Sequence, residues 1–350
     1  MLPRAPRFVF AALTLAAALG MPAQASMLES TSMRAEAPQD AGYQALVAAT
    51  NAVVGVRVRA LPNAYSNDTL GPEREGSGII IDDKGQSLVL TIGYLVMEAD
   101  TVEIIESTGT AVPATVVAYD HATGFGLLRP LSKLTPRPIK LGTSSTVSQA
   151  DRLMIVTGGE EQALSIATVV SRRQFAGYWE YLIDNAIFTS PARLDHSGAA
   201  LIDKNGALVG VGSLFVLDAV EAGGKGPGNM FVPIDLLKPV LDELVRTGGQ
   251  AASHRPYLGV DSLEEDGRVK VMQVNDESPA KAAGLTPGDI ILSVDGQAIG
   301  SLETFYDTLW APGNKAGTEF HLTVLHGPTT RDIVVHSTAR DDCLRHKPAI

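Results

Sequence analysis

Ser197 is the residue of this chain with the most direct chemical use. It stands in Asp195-His196-Ser197-Gly198-Ala199, and its hydroxyl becomes a nucleophile only when a base within hydrogen-bond reach takes the proton. His196 is next to it in sequence, so the two side chains diverge. His121, in Asp120-His121-Ala122-Thr123-Gly124, would have to arrive from a separate loop. Imidazole and carboxylate also suit transition metals, so Asp120, His121, Asp195 and His196 form a conceivable metal set. They lack tight ligand spacing, and solvated loop residues are the alternative. The single cysteine, Cys343, excludes an intramolecular disulfide and a Cys-clustered metal site. No metal or other cofactor is expected.

The elements that must position these groups belong to a chain of 350 residues, long enough for two or three domains with their own cores. Lys+Arg 28 against Asp+Glu 39 gives a net charge of -11, which argues against a nucleic-acid binder. Hydrophobic residues at 45% and charged residues at 19% are globular values, not those of a disordered chain or a coiled-coil rod. Residues 1–25 read as a cleaved signal peptide: basic Arg4 and Arg7, the apolar run Phe8 to Gly20, and Ala23-Gln24-Ala25 before the cut. An uncleaved anchor is the rival reading, but the run is shorter than the roughly 20 residues of a bilayer span. No later segment is long and apolar enough to span. A periplasmic location is expected.

Residues 26–42 are small, polar and aperiodic, as in a flexible arm. Residues 43–249 read as β-structure. Short β-branched runs such as Val53 to Val58, Gly78 to Ile81, Ser87 to Leu90 and Ala114 to Ala118 alternate with turn residues, and a second set from Leu153 to Val232 follows the Pro-rich crossing Leu134 to Pro138. Two packed β-barrels explain this pattern. Leu236, Leu237, Val240, Leu241, Leu244 and Val245 predict a closing helix stopped by Gly248-Gly249. Residues 250–255 form a linker, 256–339 a third unit and 340–350 a tail. In the third unit, Ser278 to Gly284 predicts a short helix, followed by a Pro-Gly turn, a buried strand and an Asp295-Gly296 hairpin turn.

This last segment resembles a PDZ domain, and Arg255-Pro256-Tyr257-Leu258-Gly259-Val260 looks like the carboxylate-binding loop of PDZ domains in the HtrA family. With two barrels before it and a signal peptide, residues Tyr43 to Ser337 resemble the HtrA (Deg) periplasmic serine proteases. Glu75 to Asp82 and Met230 to Leu237 are similar to the family's scaffold segments. The implied fold class is mainly β: a trypsin-like double β-barrel followed by an α+β PDZ domain. The resemblance implies that backbone N–H groups of Tyr257, Leu258, Gly259 and Val260 hold a peptide's terminal carboxylate while the peptide adds a strand. Leu302, Phe305 and Leu309, on one helix face, would line an apolar pocket for its last side chain. The expected partners are protein or peptide C-termini. Trimers through the arm are implied too, although Tyr43 is its only aromatic residue.

The resemblance also says what the catalytic positions should hold. The base position of Leu90-Thr91-Ile92-Gly93-Tyr94-Leu95-Val96 carries Tyr94 where the family has histidine. The orienting aspartate is replaced by Gly124, and the glycine that builds the oxyanion hole by Asp195. Ser197 remains at the nucleophile position. A phenol with a pKa near 10 cannot act as imidazole does near neutrality, and a carboxylate beside a developing oxyanion repels it. His121, three residues before the lost aspartate, is the better candidate for a substitute base. The expectation is a pseudoprotease that binds peptides or proteins as a scaffold, adaptor or chaperone-like factor. The alternative is an active, divergent serine endopeptidase of periplasmic protein quality control that uses Ser197.

Overall fold

The structure, a computed structural model, describes residues 38–249 and 254–345. The expected signal peptide, residues 26–37 of the arm, residues 250–253 of the linker and the last five residues lie outside the described residues. Helix α1 (Pro38–Asn51) begins inside the stretch expected to be an aperiodic arm. Six strands then close the first barrel: β1 (Val53–Ala60), β2 (Glu73–Asp83), β3 (Gln86–Ile92), β4 (Ala99–Ile105), β5 (Ala111–Tyr119) and β6 (Phe125–Pro130), in the order β1-β2-β3-β6-β5-β4. Two one-turn helices, α2 (Asn67–Leu70) and α3 (Gly93–Val96), interrupt it. Ile79, Ile80 and Ile81 of β2 are all fully buried, so both faces of this strand are covered. At Ile80 the backbone bonds outward to Ala52 and to Ile139 of the crossing segment.

The second sheet contains β7 (Lys140–Leu141), β8 (Arg152–Val156), β9 (Leu164–Gly177), β10 (Tyr181–Ser190), β11 (Ala200–Ile202), β12 (Ala207–Val216) and β13 (Gly228–Pro233). Its order is β11-β8-β9-β10-β13-β12-β7, and pairing of β11 with β12 closes six of these strands into a ring. The helix expected after Pro233 is broken. Ile234–Leu236 forms a 3-10 turn, and α4 covers only Leu241–Thr247. The apolar spacing across that break serves two separate elements, of which Ile234, Leu237 and Leu244 reach the core.

The C-terminal domain is a sheet of β14 (Val260–Glu265), β15 (Arg268–Val274), β16 (Ile290–Val294), β17 (Gln297–Ala298), β18 (Glu319–His326) and β19 (Thr329–His336), with helices α5 (Pro279–Ala282) and α6 (Leu302–Leu309). Ser278 and Ser301 cap these helices by accepting the N–H of Lys281 and Thr304. Asp295 and Gly296 both have positive φ in the β16–β17 turn, as a two-residue hairpin of this hand requires. Residues Arg340–Cys343 form a further 3-10 turn. No helix among the described residues is long and apolar enough to cross a membrane.

The two barrels are tied together at Ser197. The Ser77 N–H of β2 donates to the Ser197 carbonyl at 2.8 Å, and the Gly198 N–H donates to Gly212 O of β12 at 2.8 Å. Gly198 has φ +73°, and a Cβ there would overlap the carbonyl of Ser77. Gly198→Ala therefore adds a steric clash to a left-handed backbone, and it should lower unfolding stability by about 2 kcal/mol or more. Urea titration followed by intrinsic fluorescence checks this.

Candidate functional site

Ser197 lies between β10 and β11. Tyr94 reaches it from α3, the single turn that follows β3. The Tyr94 Oη is 2.8 Å from Ser197 Oγ and 2.8 Å from the carbonyl oxygen of Ser213. A phenol has one proton, and the carbonyl can only accept. Both contacts are satisfied when Tyr94 donates to Ser213 O and Ser197 donates to Tyr94 Oη. Burial pushes the Tyr94 hydroxyl well above the usual tyrosine value, so it stays protonated. The position expected for a base thus holds a neutral hydroxyl hydrogen-bonded to Ser197.

Gly124 follows the turn Asp120-His121-Ala122-Thr123 between β5 and β6. The Asp120 carboxylate fixes this turn by accepting the N–H groups of Ala122 and Thr123 at 3.3 and 3.2 Å. Gly124 has φ +81°, and a Cβ on it would overlap the Tyr181 hydroxyl. That hydroxyl donates to Thr123 O at 2.9 Å. The volume an orienting side chain would need is filled by the Tyr181 ring. Tyr181 was not read from the sequence, because nothing in Glu180-Tyr181-Leu182 marks it as a neighbour of Gly124.

Asp195 lies on the rim, where the guanidinium of Arg193 grips its carboxylate in a fork. Partial burial opposes its charge, but Arg193 outweighs this and holds the carboxyl below its ordinary value. Leu194, beside it, is 85% exposed. Together with Ser197 they edge a cleft of about 470 Å³ bounded by Gly55–Arg57, Glu75–Ser77 and Thr157–Glu161. With Glu75, Glu160, Glu161 and Asp195 against Arg57, which pairs with Glu75 at 2.9 Å, this cleft is acidic. His196 turns its Nδ1 to the Arg193 carbonyl at 3.2 Å, and burial lowers its pKa. The expected substitute base is also committed elsewhere. His121 is 4% exposed, with Nε2 2.6 Å from Asp341 Oδ1. Its buried Nδ1 has no partner, so a proton there would be stranded and the ring is neutral with Nε2–H donating. Among the described residues no group of three or more His, Cys, Asp and Glu is placed to hold a metal.

The second candidate site is the Tyr257–Val260 loop, and it is occupied. The N–H groups of Gly259 and Val260 donate to Glu180 Oε1 at 2.6 and 3.0 Å, and that of Leu258 to Oε2 at 3.0 Å. Gly259 holds φ +83° with its Cα side against Ser278, a conformation that turns successive N–H groups toward one acceptor. Tyr257 does not share in this: its N–H donates to Thr338 O, and its hydroxyl accepts from Asn275 at 2.8 Å. Leu302, Phe305 and Leu309 are buried in the domain core with Leu258 and Val260. The α6 residue that reaches outward is Tyr306, whose hydroxyl donates to Gly177 O at 2.6 Å and accepts the Glu180 N–H at 3.2 Å. Burial raises the Glu180 carboxyl above its usual value, against the pull of the three N–H donors and Arg340.

Comparison with known proteins agrees with this two-part arrangement. Residues 76–211 match a trypsin-like peptidase domain and residues 256–336 a PDZ domain. The chain is 28% identical over 71% of its length to a serine endoprotease DegS of Haemophilus influenzae, spanning 74% of that protein. It is 28% identical over 76% of its length to a probable periplasmic serine endoprotease DegP-like protein of Pseudomonas putida, of which it spans 56%. The fold is shared with the HtrA-type protease AlgW solved with a tripeptide, with a TM-score of 0.51, 22% identity, and 88% of this chain and 98% of that one covered. The chain carries a trypsin-like peptidase domain followed by one PDZ domain, the arrangement of the HtrA-type proteases it is similar to.

The surroundings of the residues expected at catalytic positions are filled. Tyr94 bonds Ser197 and Ser213, and Tyr181 packs behind Gly124. The PDZ loop is filled as well, by a residue of the neighbouring domain. Two outcomes follow. Tyr94→Phe removes the only phenolic link between Ser197 and the Ser213 carbonyl, and should cost about 1–2 kcal/mol of stability in denaturant titration. His121, whose folded pKa is depressed below its unfolded value near 6.5, binds fewer protons folded than unfolded in that window. Its contribution is therefore fully present above about pH 6.5 and is lost as pH falls through the depressed folded pKa. Unfolding midpoints measured from pH 7.5 to pH 5.5 should fall less steeply in His121→Gln than in the parent.

Proposed function

We propose that this is a secreted, periplasmic pseudoprotease of the HtrA/DegS family, a protein- or peptide-binding scaffold built on a catalytically silent double barrel. One observation carries the reading: the protonated Tyr94 hydroxyl sits 2.8 Å from Ser197 where a base is needed. Loss of the base alone from a hydrolytic triad costs roughly a millionfold in turnover, about 8 kcal/mol. Here Gly124 adds the loss of the orienter, and the anionic Asp195 stands where a developing oxyanion would need donors. The protease barrel keeps its acidic cleft, which favours segments carrying positive charge, and the PDZ domain supplies a fold used for recognising chain ends.

A second reading is an active serine endopeptidase of HtrA type acting through Ser197. The names of the relatives favour it, since those compared above are called serine endoproteases. The two readings separate in one experiment. Purified mature protein, offered casein or a reduced, unfolded protein, should give no cleavage above that of Ser197→Ala, and Ser197 should not be labelled by a fluorophosphonate. Turnover that vanishes in Ser197→Ala would establish the endopeptidase. Tyr94→His should not restore activity, and neither should Tyr94→His with Gly124→Asp, because Tyr181 fills the space the new carboxylate needs.

A further inference from the structure

The Glu180 carboxylate is 3% exposed and receives three backbone N–H groups from Leu258, Gly259 and Val260. Those are the groups a PDZ domain turns toward the end of a bound chain. The likeness to a bound peptide extends upstream of the carboxylate. The Ser262 N–H of β14 donates to Tyr178 O at 2.7 Å, one backbone bond on the edge strand where a peptide would pair. On the opposite wall, α6 reaches the same segment through Tyr306, and Ala176 and Leu182 pack against the PDZ core. Arg340 closes the far side: it donates to Trp179 O at 3.0 Å and lies over the Tyr257 ring at 5.1 Å. The β9–β10 turn therefore lies between β14 and α6 with an acidic group in the carboxylate loop.

We infer that Glu180 is an internal ligand of the PDZ domain: the β9–β10 turn closes the peptide site in cis, and an external chain terminus enters only by displacing it. A tethered competitor acts at a millimolar effective concentration, and the apparent affinity of an outside peptide falls by the fraction of molecules in which the site is open. The ligand that fits after displacement is a free C-terminal carboxylate on an extended chain. This holds whether or not Ser197 has any activity.

The test uses the full mature chain as parent, Glu180→Ala and Glu180→Gln. Fluorescein-labelled decapeptides ending in Leu, Val or Phe, each as free acid and as amide, are titrated by anisotropy. Amide exchange at Leu258, Gly259 and Val260 is followed in parallel. Glu180→Ala should bind free-acid peptides at least tenfold more tightly than the parent, with no gain for the amides. The three loop amides should exchange at least tenfold faster, while Phe320–Leu325 of β18 stay protected, showing that the domain is folded. Should Glu180→Ala lose protection throughout, Glu180→Gln carries the comparison. It keeps the side-chain volume but sets an NH2 against one of the three donors. Equal peptide affinity in parent and folded variant, unchanged exchange of the loop amides, absence of peptide binding by the folded variant, or equal gains for acid and amide would each overturn the inference.

Discussion

A carboxylate taken out of water must find donors or it destabilises the structure by several kcal/mol. Glu180 finds three of them in the neighbouring domain, and the other contacts between barrel and PDZ domain are arranged around this buried group. Its surroundings follow the same logic. The Arg340 guanidinium, buried beside Tyr257, donates to Trp179 O, and the Arg255 guanidinium lies 3.6 Å over the Trp310 ring while pointing to His121 O and Ala122 O. Burial lowers Arg255 to about 10, still charged at neutral pH. Asp341 holds His121, and the backbone of Arg345 donates to Glu98 at 2.8 Å. Residues 340–345, the described part of the stretch expected to be a tail, thus form a clasp laid across both domains.

The catalytic positions obey a packing constraint. An aspartate replaced by Gly124 would leave a hole beside the barrel core, which would be costly. Tyr181 takes that volume, stacked on Trp179 at 5.4 Å between ring centroids and set edge-on to Phe175. Where a base is expected, the Tyr94 hydroxyl reaches both Ser197 and the Ser213 carbonyl. Each substitution is satisfied by a neighbour: Tyr94 by Ser213, Gly124 by Tyr181, Asp195 by Arg193. Changing one of these residues alone would therefore create a clash or an orphaned group.

Local pattern made the strands legible. The β-branched runs at Val53 to Val58 and Gly78 to Ile81 lie in β1 and β2, and Asp295-Gly296 is the β16–β17 turn. Tyr94, Gly124 and Asp195 could be singled out because each sits within a few residues of a recognisable segment. The same local reasoning overextended the helix after Pro233, since apolar spacing does not reveal that Ile234–Leu236 closes as a 3-10 turn and that the α-helix begins only at Leu241. It also placed Leu302, Phe305 and Leu309 in a ligand pocket, because a periodic apolar face does not say whether core or ligand covers it. Glu180 was invisible for a different reason. Its partners lie 78 to 80 residues away, and one glutamate in a hairpin turn carries no mark of its acceptor role. His121 and Asp341 stand 220 residues apart, beyond any spacing rule.

Both sites meet on one short segment. Glu180, a turn residue with φ +55°, projects into the PDZ loop, while Tyr181, the first residue of β10, projects toward Gly124. The backbone between them is held by Tyr306 on one side and by the Trp179–Tyr181 stack on the other. A rigid displacement of the whole turn would pull Tyr181 out of a fully packed position and leave a cavity behind Gly124. Rotation confined to Tyr178–Glu180 would break the three carboxylate contacts, the Tyr178–Ser262 bond, the Arg340–Trp179 and Glu180–Tyr306 bonds and the Trp179–Tyr181 stack, but leave Tyr181 seated. The second path disrupts fewer buried contacts, and Tyr178 is already half exposed. Displacement of Glu180 by an outside chain would therefore move the tip of the turn and leave Tyr181 in place beside Gly124.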